Sequence, residues 1–284
     1  MTKEQWQLEI TPKKHLLDIN FKEIWHYKDL IFLFVKRDVV TYYKQTILGP
    51  LWYLIQPLFT MVIFTVIFNK VAGIKTGIIP PYLFNLAGIV TWNYFRDVLI
   101  AVSDTFKKNE AIFGKVYFPR VIMPMSIVVS NLLKYGIQLL IFIGFYVFYM
   151  LQGMEFSIHW SIIFFPFVIL VMAMLGLGLG MIISSLVTKY RDLVFLLNFG
   201  VQLLMYISAV FYPLSLAQEK LKGYAWVVLY NPMAYIIETV RFMFFGAGQI
   251  TWFGITYTVI ASIVVFLTGL LIFNKTEKSF IDTI

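Results

Sequence analysis

Apolar positions along this chain gather into long unbroken stretches instead of alternating with polar ones. Six of these stretches, about 51–70, 82–103, 121–151, 161–187, 193–212 and 251–273, are each long enough to cross ~30 Å of hydrocarbon as a helix rising 1.5 Å per residue. The pattern predicts an all-α membrane protein with six transmembrane helices. The third and fourth stretches exceed the minimum and have room to tilt.

Upstream of the first stretch, Phe21, Trp25, Phe32, Val35, Val39 and Tyr42 recur at helical spacing, while Lys22, His26, Asp29, Lys36 and Lys44 fall opposite. This is the pattern of an amphipathic helix in the membrane interface or of one packed on a soluble partner. The run from Leu30 to Val35 is too short to span. Residues 1–50 are therefore predicted to form a cytoplasmic N-terminus with an interface helix, 51–273 a six-span domain and 274–284 a short tail.

Two connecting segments carry more than a connection needs. Residues 104–120 mix charges with Ile112, Phe113, Val116, Tyr117 and Phe118. That mixture predicts a short helix pressed against a cytoplasmic partner or the membrane interface. Residues 213–250 are hydrophobic but broken at Asn231-Pro232 and at Gly246 and Gly248. They predict a re-entrant helical pair on the outer side, with a seventh, kinked span as the rival reading.

Composition sharpens the class. With 60% hydrophobic residues, 13% charged residues and a mean hydropathy of +0.80, the chain has no room for a large soluble catalytic domain. The net charge of +8 is a topology signal: with the N-terminus inside, 16 Lys and Arg fall on the cytoplasmic side and 5 outside. Both termini are thus predicted to be cytoplasmic. No basic run interleaved with aromatics points to nucleic acid. No early apolar core followed by a small-residue cleavage site appears between Met1 and Lys44, so a cleaved signal peptide is not expected. The absence of Cys removes disulfides, thiolate nucleophiles and Cys-ligated metals.

Candidate chemistry is sparse. Asp97, Glu155, Glu219 and Glu238 are separated, and His15, His26 and His159 are scattered. The alternating glycines Gly176, Gly178 and Gly180 lie within a span and lack a Gly-Lys-Ser/Thr ending, so Gly176 and Gly180 read as a close helix contact. A non-enzyme with no metal and no cofactor of its own is predicted, and any ATP must be bound by another subunit. Arg96, Asp97 and Lys134 fall inside spans, where an unpaired charge costs several kcal/mol. The adjacent Arg96 and Asp97 are expected to find partners elsewhere, and Lys134 to snorkel, pair structurally or serve function. Glu238 and Arg241 are spaced to pair at i, i+3. Trp25, Trp92, Trp226 and Trp252 fit an interfacial belt. Trp52, Tyr53, Phe59, Tyr94, Phe95, Tyr206, Phe211 and Tyr212 share spans with Gln56, Asn85, Asn93, Asn198, Gln202 and Ser208. Such aromatic and amide faces suit a channel for sugars, although core packing explains any single one equally well.

Several short motifs recur in a familiar order: Arg37-Asp38, Tyr43-Lys44-Gln45-Thr46, Leu48-Gly49-Pro50-Leu51-Trp52, Gln56-Pro57-Leu58, Tyr190-Arg191-Asp192, Tyr212-Pro213, Asn231-Pro232-Met233 and Glu238-x-x-Arg241. From about residue 25 onward the chain resembles the permeases of type-2 ABC exporters for polysaccharides, the O-antigen, capsule and teichoic acid group. The resemblance implies a homodimer in the bacterial inner membrane that pairs with two cytoplasmic ATPase subunits, which supply ATP and Mg. It implies a polyprenyl-linked glycan as substrate, moved outward among membrane lipids. Coupling to the ATPase would fall to Lys107, Lys108, Ile112, Phe113 and Tyr117, with Tyr190, Arg191 and Asp192 as a second contact. Arg37, Lys44 and Trp52 would admit the pyrophosphate-bearing head. The first and fifth spans would line a channel, with Tyr53, Phe59, Tyr94, Phe95, Tyr206, Phe211 and Tyr212 along the glycan path. Two alternatives stand beside this reading: an exporter of drugs or another lipid with the same fold, and a membrane-embedded glycan ligase or phosphotransferase.

Overall fold

A computed structural model describes residues 25–44, 48–116, 118–190, 192–248 and 250–281, and among them every regular element is helical. Tyr117 and Arg191, both predicted coupling residues, and Phe21 and Lys22 of the predicted interface helix lie outside the described residues. The helices are α1 (Lys28–Lys44), α2 (Trp52–Phe64), α3 (Pro81–Ser103), α4 (Thr105–Phe113), α5 (Ile122–Leu151), α6 (Phe165–Val187), α7 (Leu193–Ile207), α8 (Leu214–Leu221), α9 (Trp226–Leu229), α10 (Pro232–Phe245) and α11 (Trp252–Ile281).

Four helical segments are long and apolar enough to cross a membrane: Trp52–Val71, Ile122–Leu151, Trp160–Val187 and Trp252–Glu277. The other two expected spans take a different form. α3 reaches spanning length at 23 residues, but it carries Arg96, Asp97 and the two amides Asn85 and Asn93, and 17 of its residues are buried by its neighbours. It is the central post of the bundle, packed by α6, α5, α2, α10 and α7. A helix wrapped by protein on most sides has no need of a lipid-compatible surface. α7 has only 15 residues, about 22 Å at 1.5 Å each, and stops at Ser208.

Lipid tails are as apolar as leucine, so close packing through small residues, not exclusion from water, must hold such helices together. α6 does this on two sides. A Cβ at Gly180 would come within 2.7 Å of Val102 on α3, and one at Gly176 within 3.3 Å of the Phe95 carbonyl. On the opposite side a Cβ at Gly178 would sit 2.6 Å from Phe266 Cα, and one at Gly269 would strike the Gly178 carbonyl. The glycine stretch is a helix contact, as its spacing suggested, and it serves two neighbours where one was expected.

α1 packs against α5 with a face that only partly matches the one its periodicity suggested, sharing Val35 and Val39 with it. Phe34 and Val35 are buried and Ile31 is half-buried, whereas Trp25 and Phe32 point outward and are largely exposed. Asp38 joins the inward face by accepting a hydrogen bond from Ser130 on α5. The helix thus has two apolar sides, one for α5 and one left uncovered, and a single-stripe reading cannot separate them.

Candidate transport path and coupling face

α2 and α7 leave most of their apolar surface uncovered by this chain. Phe59 and Ile63 on α2 and Phe195, Leu196 and Phe199 on α7 are largely exposed, with Gln56, Asn198 and Gln202 among them. Tyr206 is also exposed, and Tyr53 is half-buried beneath the Lys134 ammonium, 5.4 Å from its ring centre. That cation–π contact answers how Lys134 is accommodated inside α5.

Three of the predicted path residues are placed otherwise. Tyr94 and Phe95 are buried within the α3 core, Tyr94 beside Tyr135 with ring centres 5.2 Å apart. They therefore pack the interior of the bundle and present no surface to a passing substrate. Phe211 is buried between Phe64 and Phe68, with ring centres at 4.0 and 5.2 Å and nearly parallel planes. Its stack ties the end of α2 to the turn after α7. Tyr212 donates its hydroxyl hydrogen to the Tyr206 carbonyl at 2.7 Å and so closes that turn. Trp92, expected in an interfacial belt, is likewise buried beside Phe95, while Trp25, Trp226 and Trp252 are exposed as a belt requires.

The turn after α7 is held by a buried polar hub. Ala209 has φ of 53°, a left-handed conformation that a residue with a Cβ adopts only when its surroundings enforce it. Arg241 on α10 donates to the Ala209 carbonyl at 2.9 Å and to the Val210 carbonyl, with Glu238 3.5 Å away. Its guanidinium lies 3.5 Å from the ring centre of Phe84 on α3. The Glu238–Arg241 pair expected from spacing is present, but the larger task of Arg241 is to satisfy carbonyls freed where α7 ends. Asn231 completes the hub by donating to Ser208 Oγ at 2.9 Å and capping α10 through Met233 N–H at 3.0 Å. Gly88 is required here, since a Cβ would fall 2.7 Å from Arg241 Nη2. A second polar knot supports the π-helical continuation of α2, Thr65–Val71, where Asn85 donates to Thr65 and to Asn69, each at 2.8 Å.

Arg96 and Asp97 pair with each other at 2.8 Å, against the expectation of separate partners. Neighbouring Cα–Cβ bonds diverge on a helix, but the arginine side chain is long enough to fold back onto the adjacent carboxylate. Arg37 and Asp38 on α1 repeat the arrangement at 2.8 Å, with Arg37 also 4.9 Å from the Phe34 ring centre. Lys44 is exposed in the last turn of α1, where the helix dipole favours a cation. Trp52 is exposed at the start of α2.

α4 is amphipathic, with Lys107, Lys108 and Glu110 outward and Thr105, Phe106, Asn109 and Phe113 inward. Lys108 pairs with Asp104 at 3.1 Å. Phe113 and Phe118, expected as exposed docking aromatics, are buried and anchor the segment to the bundle, with Ile112 half-buried beside them. Phe106 stacks on Phe273 near the end of α11 at 4.5 Å, and Phe113 lies under the Arg120 guanidinium at 4.9 Å. Arg120 in turn donates to the Glu277 carbonyl at 3.5 Å, with the Glu277 carboxylate 3.9 Å away. Burial lowers the pKa of Arg120, and Glu277 pulls in the opposite direction. No sequence spacing links residues 157 positions apart, and the bracing of α4 by α11 went unforeseen. Tyr190 and Asp192 are exposed in the turn between α6 and α7. Among the described residues, no group of three or more His, Asp or Glu side chains is placed to hold a metal ion.

Among the described residues the chain is all-helical, with four helices long and apolar enough to cross a membrane, a short α7, a buried arginine hub and an amphipathic α4. The chain belongs to the ABC-2 type transporter family, whose model matches residues 29–245. It is 28% identical over 255 residues to an O-antigen export system permease protein RfbA of Klebsiella pneumoniae, covering 89% of this chain and 94% of the relative. A protein of the same name from Myxococcus xanthus is 24% identical over 226 residues, covering 79% and 83% respectively.

Proposed function

We propose that this chain is the permease of an ATP-driven exporter that moves a polyprenyl-linked, O-antigen-like glycan outward across the inner membrane. Two copies would pair with two ATPase subunits. The observation that carries this reading is the apolar surface that α2 and α7 each leave uncovered. Phe59 stands near Gln56 on α2, and Phe199 and Tyr206 stand near Asn198 and Gln202 on α7, all of them exposed. Aromatic rings tolerate sliding of sugar C–H faces, and amides exchange hydrogen bonds with hydroxyls. Similarity to relatives named as O-antigen export permeases favours the same cargo.

On this reading both termini and α4 lie in the cytoplasm, six helical segments traverse the membrane and α8 to α10 dip into its outer half. Lys107 and Lys108 meet the ATPase, with Tyr190, Arg191 and Asp192 as a second contact. Arg37 and Lys44 draw the pyrophosphate head toward Trp52. ATP and Mg bind the partner alone. The test is co-purification with the cytoplasmic ATPase, followed by measurement of ATP hydrolysis with and without polyprenyl-diphosphate-linked glycan. Stimulation by the glycan is the expected result. Stimulation by small amphiphiles alone would indicate a drug or lipid exporter, and glycan transfer without any ATPase would indicate a membrane-embedded enzyme.

A further inference from the structure

Away from α2 and α7, a cavity of about 720 Å³ opens between the start of α6, α10 and the start of α11. That volume falls within the ~300–1,000 Å³ typical of small-ligand sites. Its walls are mostly apolar, including Phe164, Val171 and Phe242, and no Lys or Arg is among the described residues that line it. Trp160 and Trp252 stand at its rim, and Trp252 is 86% exposed. Two exposed indoles at the ends of spanning helices mark the level of the lipid headgroups.

Thr258 distinguishes this cavity from a packing gap. It lies six residues into α11, about 9 Å from Trp252 along the helix, and lines the cavity while only 4% exposed. Its hydroxyl has no hydrogen-bond partner. Thr41, Thr60, Thr91 and Thr276, all on helices, each donate to the carbonyl four residues back. Thr258 forgoes that bond, and its hydroxyl stays unpaired and shielded at the wall of an apolar space, where an unmet hydroxyl is costly. The rim adds His159, whose ring faces Phe242 at 4.5 Å and whose Nδ1 lies 2.9 Å from Ser161 Oγ.

We propose that this cavity holds one acyl chain of a zwitterionic glycerophospholipid from the leaflet facing the α6 and α11 N-termini, with a turn of the Thr258 side chain bringing its hydroxyl to the ester carbonyl. The apolar walls match the hydrocarbon, the depth of Thr258 below the indole rim matches the ester level, and the lack of a lining cation matches a headgroup without net charge. Assignment to the outer leaflet rests on the topology proposed above.

The test uses the full chain in phosphatidylcholine nanodiscs doped with phosphatidylethanolamine bearing a diazirine in one acyl chain. After irradiation and mass spectrometry, adducts at Phe242 and residues 255–259 are expected to exceed those at Leu140, an exposed position on α5, by several-fold. Val171→Trp, which fills the space, and Thr258→Val, which removes only the hydroxyl, each lower the cavity adducts several-fold and leave Leu140 unchanged. Equal labelling at both places, insensitivity to both variants, or stronger displacement by polyprenyl phosphate than by phosphatidylethanolamine would overturn the proposal. Topology is read separately. With no native Cys, Ser161→Cys in intact cells should react with a membrane-impermeant maleimide, and failure there moves the site to the other leaflet without touching the labelling result.

Discussion

Arg241 is the residue on which the packing around the end of α7 turns. Only 1% exposed, it gathers two carbonyls released at the end of α7, the carboxylate of Glu238 and the ring of Phe84. Removing one partner of such a buried arrangement typically costs about 3–5 kcal/mol, because the groups left behind stay desolvated. Arg241→Met is therefore expected to lower the unfolding free energy by about that amount. Glu238→Gln keeps both carbonyl bonds and should cost clearly less, and chemical denaturation in detergent compares the two. Equal losses would mean that the ion pair, not the carbonyl capture, is the main interaction. Gly88→Val should resemble the arginine loss, since its side chain would occupy the guanidinium site. The Glu238–Arg241 spacing was legible in the sequence. The φ of Ala209 and the approach of Gly88 were not, because they depend on α3 meeting α7 and α10 in space.

At the scale of elements, hydrophobic length located the helices and small residues located their contacts, but polarity within a helix misled where protein replaces lipid as the neighbour. α3 carries Arg96, Asp97, Asn85 and Asn93 because it is surrounded by other helices, and Tyr94, Phe95 and Trp92 are buried for the same reason. Nothing in a periodic pattern tells an aromatic that lines a path from one that fills a core. α4 shows the complementary case. Its inward aromatics seat it on α11 through Phe273 and Glu277, leaving Lys107 and Lys108 outward. Charge reversal to Glu at Lys107 and Lys108 should reduce export at least tenfold while the ATPase still hydrolyses ATP and the chain still inserts. Phe113→Ala should instead loosen the seat, seen as faster protease cleavage near residue 115. On the other side of the bundle, Gly178→Leu should separate α6 from α11, and the expected readout is loss of folded protein on size-exclusion chromatography. A folded and active Gly178→Leu would contradict the close contact.

For the molecule as a whole, the asymmetry of covering is the informative feature. α3 and α10 are nearly enclosed, whereas Phe59 on α2 is 66% exposed and Phe195 on α7 is 80% exposed. A second copy set against α2 and α7 would turn their aromatic and amide groups toward a shared path. Phe199→Cys, in a chain free of native Cys, is accordingly expected to form an oxidation-dependent dimer, while Leu140→Cys remains monomeric under the same conditions. The most direct measurement of the central claim is transfer in proteoliposomes that contain this chain and its ATPase. Fluorescent polyprenyl-diphosphate-linked glycan, placed in the leaflet carrying the ATPase, should become protected from an impermeant quencher on that side only when ATP and Mg are supplied. Transfer that proceeds without ATP, or the same protection for a glycan-free lipid and none for the linked glycan, would contradict it.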